Sequence, residues 1–397
     1  MQVIYANQPA PETWTSAIFL AGPTPRSAEV PSWRPEALRL LEAAGYDGVV
    51  FVPEDEGGEW RHSYLAQVEW ESTGLNFADV IVFWVPRQLD TMPAFTTNVE
   101  FGHWVGSGKV VLGYPPGAPK NRYLDWLLEH HARGRRPEET LEATLDAALA
   151  RIGDASAGGA PRTGGERHVP LDIWRTPSFR AWYDSLTRAG HRLDGARQRW
   201  AFRSRKGGGQ VFAWVLQVEV WIPSEGRHKT NEWVFARSDI AAVALWRAPE
   251  RTGGLAGLLE TELVLVREFR APARTPDGFV HELPGGSSTE TGDPLVVASE
   301  ELREETGLTV APERLKPLGS RQLAGTLSSH HGHLFAAELT AGEMARARAV
   351  AAAGTVHGAP DSSERTTVEV TTFGAMLREG LCDWTTLGMV AAALLTP

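Results

Sequence analysis

Glu300-Glu301-Leu302-Arg303-Glu304-Glu305-Thr306-Gly307-Leu308 carries four glutamates within six residues, directly before a glycine. At ~100° per residue, Glu300, Glu301, Glu304 and Glu305 fall within roughly 140° of one helix face. Like charges at i,i+4 each cost a few tenths of a kcal/mol there, and a polyvalent cation would remove that cost. The helix is well punctuated. Asp293 suits its N-cap, Pro294 its first turn and Gly307 its stop, while Leu295, Ala298 and Leu302 make a buried stripe. Upstream, Glu282-Leu283-Pro284-Gly285-Gly286 reads as a tight turn after a strand. Two readings stand at this point: a solvated acidic face, or an all-oxygen site for a hard cation such as Mg²⁺ (or Mn²⁺).

Residues 286–308 resemble the Nudix box, the metal-binding loop and helix of hydrolases that cleave nucleoside diphosphates linked to another moiety. Gly286, Glu301, Leu302, Glu304, Glu305, Gly307 and Leu308 fall on its pattern. Gly292 stands where the pattern has its first Glu, and Glu300 where it has Arg. The resemblance implies an α+β Nudix fold, substrate contact at Gly286, and Mg²⁺ on Glu301, Glu304 and Glu305. The strand-like residues 262–270, 335–339 and 368–370 look like the ADP-ribose pyrophosphatase branch. In that branch a late acidic loop supplies a carboxylate that activates water. Asp361-Ser362-Ser363-Glu364-Arg365 occupies that stretch, which makes Glu364 the candidate base, or a merely solvated glutamate. Arg267 and Arg270 are candidates for bidentate phosphate contact, or ordinary surface charges.

With 397 residues, 42% of them hydrophobic, the chain is long enough for two domains with real cores. A formal net charge of −10 argues against a nucleic-acid or anionic-membrane partner, because both are held by basic surface. The single Cys382 excludes an internal disulfide framework. With no signal-like N-terminus and no long apolar run, a soluble cytoplasmic protein is expected.

Residues 153–168 are rich in Gly, Ala and polar groups and read as a linker. The expected domains are therefore residues 1–152 and 169–397. Residues 138–152 and 179–193 look helical. Residues 211–222 and 232–246 look like strands that would enlarge the C-terminal domain. The N-terminal domain alternates strand and helix: strands near 17–22, 49–53, 80–86 and 109–114, helices near 35–44 and 63–75. That alternation predicts an α/β doubly wound parallel sheet, with its ligand at the C-terminal ends of the strands. Glu71 and Glu100 lie on elements that reach this edge. A pair of acids is the standard equipment for breaking a glycosidic bond, although two ordinary helix-surface acids would look the same.

Phe19-Leu20-Ala21-Gly22-Pro23, Ala78-Asp79-Val80-Ile81-Val82 and Glu100-Phe101-Gly102 resemble motifs of nucleoside 2-deoxyribosyltransferases and their nucleotide N-glycosidase relatives, over roughly residues 14–125. The resemblance implies Glu100 as nucleophile, Glu71 as an acid near the base, and Phe19, Gly22 and Asn98 in the binding site. Asp79, at the start of its strand, reads as structural. Phe19 replaces a tyrosine, Ala94 replaces a residue that contacts sugar or phosphate, and Thr96-Thr97-Asn98 replaces a glycine-containing approach. Thr24 and Arg26 suit a 5′-phosphate, or a turn with a surface charge.

The expectation is a two-domain nucleotide-processing hydrolase acting on a small-molecule nucleotide. Its rival is a nucleotide-sensing protein whose Nudix domain is degenerate. A homodimer is expected, because Trp200, Trp214, Trp221 and Trp233 would otherwise leave apolar surface exposed.

Overall fold

The structure is a computed structural model that describes residues 1–26, 29–56, 63–132, 134–153, 161–204, 210–287, 292–358 and 364–396. The chain divides into two compact units, Met1–Phe235 and Ala236–Pro397.

The first unit runs β1 (Gln2–Tyr5), β2 (Thr13–Trp14), β3 (Ala17–Ala21), α1 (Arg34–Ala43), β4 (Val49–Val52), α2 (Tyr64–Phe77), β5 (Val80–Trp84), α3 (Phe95–Trp104), β6 (Val110–Gly113), α4 (Arg122–His131) and α5 (Leu141–Ile152). It continues with β7 (Arg162–Thr163), α6 (Leu171–Trp174), α7 (Pro177–Arg188), β8 (Arg192–Arg203), β9 (Val211–Ile222) and β10 (Arg227–Arg237). Five strands form a parallel sheet in the order β1-β4-β3-β5-β6. Every residue of β3, β4, β5 and β6 is buried, as expected of parallel strands covered on both faces. Phe19, Phe51, Phe77 and Phe83 lie in one core cluster with Leu75 of α2 and Phe101 of α3. That packing fixes both helices against the sheet.

The expected linker is largely something else. Residues 154–160 lie outside the described residues, but Arg162 and Thr163 pair with β2, and residues 164–168 form a 3₁₀ turn. Arg162 is 1% exposed and donates from Nη2 to Asp79 Oδ2 at 2.5 Å. The same carboxylate accepts from the backbone N–H of Ala17 (2.8 Å) and of Leu171 (3.0 Å). Asp79 thus has the structural role read for it, and it ties the segment after the supposed linker into the first unit. Of the strands expected to enlarge the C-terminal domain, residues 211–222 instead form the middle strand of a separate sheet, β10-β9-β8, whereas residues 240–247 do join the sheet of the second unit, and the division falls at Phe235/Ala236. The helix expected at 179–193 ends at Arg188, because Gly190 takes φ +82 and Leu193 already belongs to β8. The strand expected at 232–246 is two, β10 and β11 (Ile240–Arg247).

The second unit continues with α8 (Gly254–Glu260), β12 (Glu262–Glu268), β13 (Val280–Glu282), β14 (Gly285–Gly286), α9 (Pro294–Thr306), β15 (Lys316–Gln322), β16 (His331–Glu338), α10 (Ala341–Ala353), β17 (Val356–His357), β18 (Thr366–Thr372), α11 (Phe373–Glu379) and α12 (Trp384–Leu395). Its sheet is mixed: β11 runs parallel to β16 and antiparallel to β12. Strand alternation sorts the core onto two faces. Val243 and Leu245 pack with Ala298 and Leu302 of α9 and Met344 of α10. On the other face, Ala242 and Ala244 pack with Met376 of α11 and Val390 of α12.

Among the described residues, no helix is long and apolar enough to cross a membrane. Trp214, read as interface material, is fully buried beside Phe179 and Trp182. Trp200 and Trp233 are about half exposed.

Candidate functional site

In the first unit a cleft of about 1480 Å³ opens at the C-terminal ends of β3, β4 and β5, larger than the ~300–1,000 Å³ of a typical small-molecule pocket. Phe19, Gly22, Thr24, Arg26, Glu71 and Glu100 all line it. Gly22 is required where it stands: its φ is +148, and a Cβ there would lie 2.2 Å from the Trp84 carbonyl oxygen. Phe19 lies within 6.5 Å of Phe51 and 6.2 Å of Trp70, ring centre to ring centre.

The residue that organises the rim is Arg34, which sequence reasoning missed. Its guanidinium, 1% exposed, donates to Leu20 O (3.1 Å), Gly22 O (2.7 Å), Thr24 Oγ1 (3.1 Å) and Glu54 Oε1 (2.5 Å). One side chain therefore locks the loop after β3 to the end of β4. A second buried arginine, Arg87, donates to Pro93 O (2.9 Å) and Asn98 Oδ1 (2.6 Å). Asn98 is consequently turned toward Arg87 and does not line the cleft, unlike its expected role. Arg87 also steadies Ala94, a non-glycine residue at φ +58 that begins α3 with no side-chain cap. The signal for both arginines is tertiary: each is recognisable only once its carbonyl partners are in place.

Glu71 and Glu100 face this cleft from α2 and α3. The Glu100 carboxyl is pushed up to about 7, first by burial and then by Glu71, with Arg34 acting against both. Glu71 is also raised, first by burial, against the hydrogen bond from Gln67 Nε2 (2.8 Å) and the charge of Arg34. Two neighbouring carboxyls, both raised above the usual carboxylate range, can divide the work of attack and proton delivery. Two further cleft residues carry basic groups held back by burial: His168 falls to about 4 and Lys109 to about 8. Arg26 is exposed at the rim, its guanidinium 5.7 Å from the centre of the Phe95 ring.

Residues 15–118 match the model of a family described as Nucleoside 2-deoxyribosyltransferase like. That segment holds β3 to β6 and both cleft carboxylates. No curated protein matches the chain.

In the second unit α9 forms as its punctuation predicts, with Asp293 accepting from the Leu295 N–H at 2.9 Å and Gly307 closing the helix at φ +66. Glu305 is buried and accepts from the Gly285 N–H at 2.9 Å. Its carboxyl is pushed up to about 8 by burial and then by Glu301, Glu282 and Glu364. Glu301 rises to about 7 through burial, then Glu304, Glu364 and Glu300. Gly286 leaves room for that group, since a Cβ would sit 2.4 Å from Glu301 Oε1. Glu304 is exposed. As the side chains stand, no three or more His, Cys, Asp or Glu among the described residues are gathered to hold a metal ion. Arg270 pairs with Glu268 (2.8 Å) and Glu364 (3.5 Å). Arg267 pairs with Asp277 (3.0 Å) and packs on the Phe279 ring, so both arginines are engaged within the protein. Asp361, Ser362 and Ser363 lie outside the described residues.

Proposed function

We propose that the first unit cleaves the N-glycosidic bond of a nucleoside or nucleotide. The observation that carries this reading is the convergence of Glu71 and Glu100, from separate helices, on one cleft within the family-matched segment. Ionised Glu100 attacks C1′ of the sugar, and the C1′–N bond breaks with its electron pair leaving on the base. Glu71, whose raised affinity for a proton suits an acid, delivers one to that base. Water then releases the sugar, or a second base receives it. Phe19 brings no hydroxyl to steady Glu100, which leaves Arg34 as the cationic influence on the pair. Thr24 and Arg26 hold the 5′ group.

For the second unit the proposal is a nucleoside-diphosphate hydrolase site that uses Mg²⁺ or Mn²⁺. The donor types suit a hard cation, being all oxygen and mutually repelling, and an ion there would draw together carboxylates that are not gathered as the side chains stand. Glu301, Glu304 and Glu305 would hold the ion, which polarises phosphate oxygens when bound. Glu364 is the base that takes the proton of the attacking water. A second reading, a nucleotide-sensing unit without hydrolysis, is favoured by Gly292 and Glu300 at the departures from the box and by the engagement of Arg270 with Glu268 and Glu364.

The test is incubation with a nucleotide panel, with and without Mg²⁺, followed by separation of free base, sugar phosphate and nucleoside monophosphate. Free base without added metal supports the first site, and metal-dependent monophosphate supports the second. Neither product from any substrate would overturn the enzymatic reading.

A further inference from the structure

Residues 197–201 of β8 wall the cleft although they lie far outside the family-matched residues 15–118. β8 is an edge strand of its sheet. Gln198 Nε2 donates to Ser107 O at 2.9 Å and Arg203 Nη2 to the same oxygen at 3.4 Å. These bonds pin the wall to the turn that follows α3, the helix bearing Glu100. Pairing steps from Gln198↔Leu216 directly to Trp200↔Val215, so Arg199 is the extra residue of a bulge, a device that re-aims side chains at a sheet edge. Trp200 lines the cleft with 48% of its surface exposed, yet it is held in orientation by stacking on Phe202 at 6.2 Å and 16°. Arg197 is exposed beside it and makes no hydrogen bond or ion pair among the described residues.

We propose that Trp200 and Arg197 form the base-recognition wall of this cleft and select a base whose edge carries a carbonyl oxygen. The inference rests on the N-glycosidase reading of Glu100. With C1′ at Glu100 and the 5′ group at Thr24 and Arg26, the base projects toward the remaining walls. A base needs a flat face to stack on, and tryptophan supplies one whatever the base. Its edge must then be read by hydrogen bonds. A guanidinium offers donors and no acceptor, so it matches a carbonyl oxygen beside a ring nitrogen and is mismatched to an amino group.

The experiment measures base release from inosine and adenosine 5′-monophosphates, in ribo and 2′-deoxy forms, by wild type, Trp200→Ala, Trp200→Phe and Arg197→Ala. Trp200→Ala should raise KM for both bases by about tenfold with kcat little changed, and Trp200→Phe should restore most of it. Arg197→Ala should lose the wild-type preference for the carbonyl-bearing base. Arg197 is solvent-exposed, so its variant tests the wall even if Trp200→Ala fails to fold. Base release that is abolished by Glu100→Ala, but indifferent to both wall substitutions, would overturn the wall and leave the nucleophile standing. Absence of base release by the wild type overturns both.

Discussion

The two acidic sites reach the same chemical state by different routes. In the first unit one half-buried pair, Glu71 and Glu100, shares a cleft with Arg34, whose charge offsets part of the burial cost of both. In the second, Glu301 and Glu305 are raised by burial and by several neighbouring acids, and no cationic side chain among the described residues draws them back. A pair tempered by an arginine is suited to passing one proton. A crowd of carboxylates without such relief is suited to receiving a cation. Burial alone would not tell these apart; the sign of the neighbouring charges does.

The sharpest break of this comparison is substitution at the pair. Glu100→Ala should lower base release by roughly 10³-fold or more and leave metal-dependent cleavage unchanged. Glu71→Ala should lower base release by roughly 10²-fold or more. Near wild-type release by Glu100→Ala, read as free base by chromatography, would remove the nucleophile assignment.

Next comes the crowd. Glu301→Gln with Glu305→Gln should abolish Mg²⁺-dependent cleavage and divalent-ion binding followed by calorimetry. It should also raise metal-free thermal stability above pH 8, since two carboxyls whose ionisation is disfavoured in the folded state are gone. Unchanged metal affinity would return α9 to a solvated acidic face.

A smaller effect follows from the protonation of Glu100. Its carboxyl is raised from 4.5 to about 7 on folding, so the folded state holds the proton more tightly than the unfolded chain. Stability is fully present below the unfolded value and declines as pH rises toward 7, by up to about 3 kcal/mol. Glu100→Gln should therefore unfold at a higher temperature than wild type at pH 8 and at a similar one at pH 4. Base release should rise through pH about 7 as the nucleophile ionises. A flat profile between pH 6 and 8 would contradict the assignment.

The mildest expectation concerns assembly. Tyr64, Phe95 and Val99 are at least two-thirds exposed at the cleft mouth, a patch suited to a second copy of the chain. Light scattering at micromolar concentration should give a dimer whose base-releasing activity falls on dilution, and a fully active monomer would end that proposal.

What the sequence shows plainly is local or periodic. Asp293, Pro294 and Gly307 mark α9 because capping is chemistry between near neighbours. The buried parallel strands announce themselves as apolar runs, and their topology carries Glu71 and Glu100 to one edge. Long-range partners are silent. Nothing local distinguishes Arg34 or Arg87 from a surface arginine, and nothing local shows that Asn98 is turned toward Arg87. The expected linker runs too far for the same reason: glycine and alanine enrichment is visible, but the partner of Arg162 lies 83 positions away.

That buried contact bears on how the molecule can be cut. A recombinant fragment ending at residue 118 or 153 would keep every cleft carboxylate yet leave Asp79 sealed in the interior without its guanidinium. Breaking a buried pair in this way costs about 3–5 kcal/mol, a large share of the ~5–15 kcal/mol that holds a domain folded. The matched segment is thus a recognisable module in sequence but not a severable one in practice, and any piece intended for separate expression and crystallisation must retain Arg162.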